Sequence, residues 1–177
     1  MTAGSSTLSL SGLPIGFEAT GADALLELFR KERDPDLWHL CVTKMNPDTG
    51  AVYSLGTWLI KQPDVDRATV MFLLNMFYWG VERNGEQIYP VYAGDNNHER
   101  EAFDLAIDRL RRDDFSRAEL NTPRLFKANE VEARDFEPKV LLNGQSGREP
   151  KTPWKVFDEQ AVLYDPHDTI ISKYAMY

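Results

Sequence analysis

The sequence predicts a mainly α protein: a compact bundle of short helices around a central buried helix, with a small β-hairpin or ordered loop and an irregular C-terminal region. Three observations lead there. The window from Ala68 to Val81 is apolar on every face of a helix, so other elements must wrap it. Phe103, Ala106, Ile107 and Leu110 recur at helical spacing with acidic residues opposite. From Pro138 onward the pattern breaks into Pro, Gly and short apolar pieces. A length of 177 residues suits one domain with a substantial core. Small and hydroxyl side chains dominate Thr2 to Gly12, which suggests a loose tail or an extended arm; residues 1–20 are taken as a flexible N-terminal tail and residues 21–177 as a single helical domain.

The elements follow in order. Gly21 to Arg33 carries Leu25, Leu26, Leu28 and Phe29 and ends in basic residues, which suits a helix C-terminus. The second helix starts at Asp34, a capping residue before Pro35 at the first helical position, and stops at Asn46 ahead of Pro47. Its stripe is Leu37, Trp38, Cys41, Val42 and Met45. "NPDTG" is turn chemistry, and Leu55 to Gln62 makes a short third element closed by Pro63. Asp64 or Asp66 then caps the central helix, with Gly80 as its stop.

Beyond it, Asn84-Gly85 marks the hairpin or ordered loop, flanked by Val81 and by Ile88, Tyr89, Val91 and Tyr92. The helix around Phe103 comes next, and a weaker helical pattern begins near Thr122. The C-terminal region is expected to pack through Trp154, Val156, Phe157, Val162, Leu163 and Tyr164.

Bulk chemistry removes several classes of function. The apolar window offers about 21 Å of helix at 1.5 Å per residue, short of a ~30 Å hydrocarbon layer. Asn75 also interrupts its middle, so no membrane anchor is expected. A net charge of -8 argues against nucleic acid, whose binders cluster Lys and Arg on phosphates. Cys41 is the single cysteine, which excludes an internal disulfide and suits a reducing, cytoplasmic setting. The N-terminal stretch lacks a basic segment followed by a continuous apolar run, so it does not read as a secretory signal.

No catalytic constellation, metal set or cofactor motif emerges. His39, beside Trp38 on an apolar stripe, reads as a structural histidine, and Cys41 as a small buried hydrophobe. "HERE" at His98 lacks the second His of a helical zinc site, and "DPHD" at Asp165 to Asp168 reads as a solvated turn. "NGQSGRE" from Asn143 does not open an amphipathic helix after a strand, so it reads as a loop. Asp64 with Asp66, and Asp113 with Asp114, read as chance pairs in a chain with 28 acids.

One series of residues resembles a known family. Trp38-His39, Asn46-x-Asp48-x-Gly50, Trp58-x-Ile60, Gln62-Pro63-Asp64 and Asp66-Arg67-Ala68-Thr69 with Phe72 are similar to the bacterial domain of unknown function 4274, over about residues 34–79. Pro47 stands where that family usually has Trp, and Val65 where it has Cys, so no role of those side chains carries over. The resemblance implies a small, mainly α, cytosolic bacterial protein with no established catalytic residues, of a sort that often accompanies antibacterial toxins as an immunity partner.

The expected function is therefore protein binding, an immunity protein that neutralises a basic toxin domain by direct contact, not catalysis. Glu99, Glu101, Asp104 and Asp108, opposite the apolar stripe, are the expected partner-binding residues. A plain solvated face is the competing reading for them. Two alternatives stand beside this: a small-ligand binder or enzyme using an aromatic-lined central cleft of Trp38, His39, Trp58, Tyr78 and Trp79, or a structural subunit of a larger assembly.

Overall fold

The structure, a computed structural model, describes residues 12–44, 51–78, 97–122, 144–157 and 161–168, with the side chains of 51–53, 75–78, 97–100 and 103 outside the described set. These residues form five helices and a small three-stranded antiparallel sheet, so the protein is mainly helical with minor β content. The expected hairpin around Asn84-Gly85, the turn at 46–50 and most of the helical pattern after Thr122 lie outside the described residues. Chain contacts divide the molecule into two compact units, Met1–Asn46 with Lys151–Tyr177, and Pro47–Pro150.

The first unit holds β1 (Glu18–Thr20), α1 (Ala22–Lys31), α2 (Pro35–Lys44), β2 (Trp154–Phe157) and β3 (Ala161–Tyr164). In α1, Leu25, Leu28 and Phe29 share one face by the three- and four-residue spacing of a helix, and that face is buried. Asp23 lies in its first turn and Arg30 and Lys31 in its last, each sign matched to the helix dipole. The start of α2 is closed by Asp34, whose Oδ1 accepts the N–H groups of Asp36 at 3.0 Å and Leu37 at 3.2 Å. Its Oδ2 accepts the Thr152 hydroxyl at 2.6 Å, and Asp36 Oδ2 accepts the Lys151 N–H at 2.6 Å. These bonds fix the strand that begins at Trp154 beside the start of α2, with which it packs.

The sheet corrects two expectations. Its strand order is β1-β3-β2, so part of the segment taken as a flexible tail forms an edge strand, with Ala19 opposite Val162. The segment taken as irregular supplies the other two strands, with Trp154 opposite Tyr164. Strands of three and four residues leave almost no alternation to read, and β1 pairs with residues more than 140 positions away, which no local pattern reports. Trp154, Val162 and Tyr164 are buried, the Trp154 and Tyr164 rings meeting edge-on at 5.0 Å. Val156 and Leu163 are half-buried. Phe157, expected in the core, is 45% exposed at the end of its strand.

The second unit is built on α3 (Ala51–Ile60), α4 (Arg67–Tyr78) and α5 (Asn97–Arg112), each packed against the other two. From Ala68 to Leu74 every side chain of α4 is buried except the half-buried Phe72, as an all-round apolar helix requires. Leu55, Leu59 and Ile60 of α3 and Ala102, Ala106, Ile107 and Leu110 of α5 complete this core. The helix from 97 to 112 and its apolar stripe thus match the expectation, Phe103 lying outside the described side chains.

Candidate functional site

α5 has two faces of opposite chemistry. Burial of Ala102, Ala106, Ile107 and Leu110 turns Glu101, Asp104 and Asp108 outward, and all three are exposed. Glu99 is on the same helix, its side chain outside the described set. Glu101 meets Lys61 Nζ at 3.5 Å, a loose pair with both side chains more than half exposed and worth little. Asp104 and Asp108 stand four residues apart, where like charges on a helix cost about 0.2–0.5 kcal/mol.

The buried side of α5 carries one residue that the sequence reading did not single out. Arg109 is 8% exposed, and its Nη1 donates to the carbonyls of Ile60 and, at 2.6 Å, Gln62. It therefore closes the C-terminal end of α3, where carbonyls lack helical partners and a cation is favoured. Its Nε lies 3.4 Å from Asp114 Oδ1, and its guanidinium sits 4.8 Å from the Phe115 ring centroid. Burial pulls the Arg109 pKa down, while Asp114 opposes that shift. The position was legible in principle: Ala102, Ala106 and Arg109 follow helical spacing onto one face, but "DRLRRDD" looks like a surface charge run.

Around Arg109 the surface folds into an open hollow of about 480 Å³. Ile60, Pro63, Leu105 and Phe115 give it apolar walls, and Lys61, Arg109, Arg112, Asp113 and Asp114 its charges.

A second cluster is organised by Asp66, which is fully buried. Oδ1 accepts the Ala68 N–H at 2.9 Å, so that of the two capping candidates, Asp64 and Asp66, it is Asp66 that caps α4. Oδ2 accepts the N–H groups of Glu119 at 2.8 Å and Leu120 at 3.3 Å, and Gln145 Nε2 approaches Oδ1 at 3.5 Å. Asp66 is thus no chance surface acid: it ties two distant segments to the start of α4. Those segments also pair directly, Thr122 with Gln145 and Arg148 with Glu119 and Asn121, through backbone bonds of 2.9 Å. Gly147 permits their approach, since a Cβ there would lie 2.4 Å from the Glu119 carbonyl oxygen. The surroundings are closed and backbone-lined, which makes this a structural clasp.

Other candidates fall as follows. Trp38 and His39 are buried in the first unit, and Trp58 is half-buried in the second. The Tyr78 and Trp79 side chains lie outside the described set. Cys41 is buried, and burial pushes its thiol pKa up, with Asp34 adding to the shift. Asp165 to Asp168 forms a turn in which Asp165 is buried, its N–H bonded to the Pro153 carbonyl at 3.0 Å, and Asp168 takes Lys155 at 2.6 Å. Among the described residues no group of three or more His, Cys, Asp or Glu side chains could hold a metal ion, and no helix is long and apolar enough to cross a membrane.

No protein-family model, curated protein or solved structure matches the chain.

Proposed function

We propose that this chain is a cytoplasmic protein-binding protein that recognises a basic partner through the outer face of α5, in the manner of an immunity protein neutralising an antibacterial toxin domain. The observation that carries the reading is the pair Asp104 and Asp108, exposed on successive turns with Glu101 a turn earlier, on a helix whose opposite face is committed to the core. Glu101, Asp104 and Asp108 give that face a negative character, the complement of a cationic surface. An overall charge of -8 extends that attraction and would speed encounter with a cationic surface. The similarity over residues 34–79 points the same way, towards a small bacterial protein of the immunity kind.

The test is co-expression with the basic antibacterial toxin domain that a pull-down from the native host identifies. The chain is expected to restore growth and to co-purify with that domain, and the double reversal Asp104→Lys with Asp108→Lys is expected to abolish both while the variant stays folded. Growth unaffected by the chain, or protection untouched by the reversal, would remove the proposal.

A further inference from the structure

The hollow beside Arg109 adjoins the outward face of α5, to which Lys61 links it through Glu101, but differs from that face in chemistry. Most charges on its wall are already engaged. Asp114 faces Arg109 Nε at 3.4 Å, Asp113 Oδ1 is held by Arg67 Nε at 2.9 Å, and Lys61 reaches Glu101 at 3.5 Å. Two guanidinium edges remain. Arg109 is anchored through Nη1 and Nε, and its Nη2 has no hydrogen-bond partner among the described residues. Arg112 donates only Nε to the Asp108 carbonyl at 3.3 Å, and among the described residues it meets no carboxylate.

Arg109 is also held in place before any ligand arrives. Two backbone carbonyls and the Phe115 ring fix its plane, so an incoming anion would gain its hydrogen bonds without first ordering the side chain. Burial disfavours its charge, and a second anion would relieve that cost. The half-buried Leu105 and Phe115 supply apolar area next to these donors, and about 480 Å³ is within the ordinary range for a small-molecule site. The two wall carboxylates decide the charge of the guest. Asp113 and Asp114 repel any anion, a phosphate dianion about twice as strongly as a monocarboxylate, so the single charge is favoured against the same two guanidinium edges.

We propose that this hollow binds a small organic monocarboxylate, its carboxylate held by Arg109 Nη2 and Arg112 and its aromatic or branched aliphatic body resting on Leu105 and Phe115. The site does not depend on the protein-binding reading, and its test involves no partner.

The experiment is a ¹H–¹⁵N NMR titration of the full chain with 3-phenylpropionate, 3-phenylpropanol, 3-phenylpropylamine and inorganic phosphate. The carboxylate is expected to saturate in the millimolar range or below, moving the Arg109 Nε–H and Phe115 amide signals together. The alcohol and the amine are expected to bind at least about tenfold more weakly, the loss of one charge-assisted hydrogen-bonding contact, and phosphate to bind more weakly because of its second charge and its lack of an apolar body. Arg112→Gln is expected to weaken the carboxylate about tenfold. Arg112 is exposed and makes a single weak bond, so this variant should fold, and Arg111→Gln on the neighbouring exposed position should bind unchanged. No saturable shift at these two signals, equal affinity for the amine or alcohol, preference for phosphate, or an affinity indifferent to Arg112→Gln would each overturn the proposal.

Discussion

Asp66 Oδ2 accepts the backbone N–H of Glu119 at 2.8 Å, a bond between residues 53 positions apart that brings a buried carboxylate to a loop edge. With its other oxygen on the Ala68 N–H, Asp66 satisfies donors on two segments at once. Removing the acceptor leaves those N–H groups buried and unpaired. Asp66→Ala is expected to lose about 2–4 kcal/mol of stability, and Asp66→Asn nearly as much, because its amide nitrogen would face donors. Urea unfolding with an unchanged slope checks this, and a loss below about 1 kcal/mol would contradict the clasp.

Gly147 tests the same clasp from the other side. A Cβ at that position would lie 2.4 to 2.5 Å from the Glu119 and Leu120 backbone, which cannot yield as a flexible side chain would. Gly147→Ala is expected to lower stability by about 2 kcal/mol or more, read as a fall in Tm. Gly12 offers a contrast, since a Cβ there meets nothing within 4 Å and only its φ of 73° resists substitution.

Arg109 joins the end of α3 to α5 through the Ile60 and Gln62 carbonyls. An ammonium has neither the planar fork nor the stacking surface for Phe115, so Arg109→Lys is expected to cost about 1–3 kcal/mol. Chemical denaturation of the two proteins side by side gives the number, and equal midpoints would show that the guanidinium geometry is dispensable.

Cys41 is buried with its thiol pKa pushed up, so at neutral pH it stays a protonated thiol without access to reagent. An aromatic disulfide reagent is expected to leave the native protein unmodified and to label one thiol once the chain is unfolded. Labelling of the native protein at the rate of a free thiol would place Cys41 at the surface.

What the sequence revealed was what local chemistry encodes. Asp34 before Pro35 marked the start of α2 because a cap and its N–H groups lie within three residues. The stripe of α5 and the all-round apolar run of α4 were legible for the same reason. The edge strand Glu18–Thr20, the clasp at Asp66 and the close approach at Gly147 were hidden, since each depends on a segment far away in the chain. Of the candidate surfaces, the outward turn of Glu101, Asp104 and Asp108 could be read from periodicity. The hollow could not, because its character comes from which guanidinium edges remain without a partner among the described residues, and that is a matter of distances.

The most direct measurement is the calorimetric affinity of the purified chain for the basic toxin domain that the proposal requires, at low and moderate salt, with and without the two lysine substitutions on the outward face of α5. Binding that weakens steeply with salt and falls at least about a hundredfold on reversing Asp104 and Asp108 is the expected result. Tight binding indifferent to both would place recognition elsewhere on the molecule.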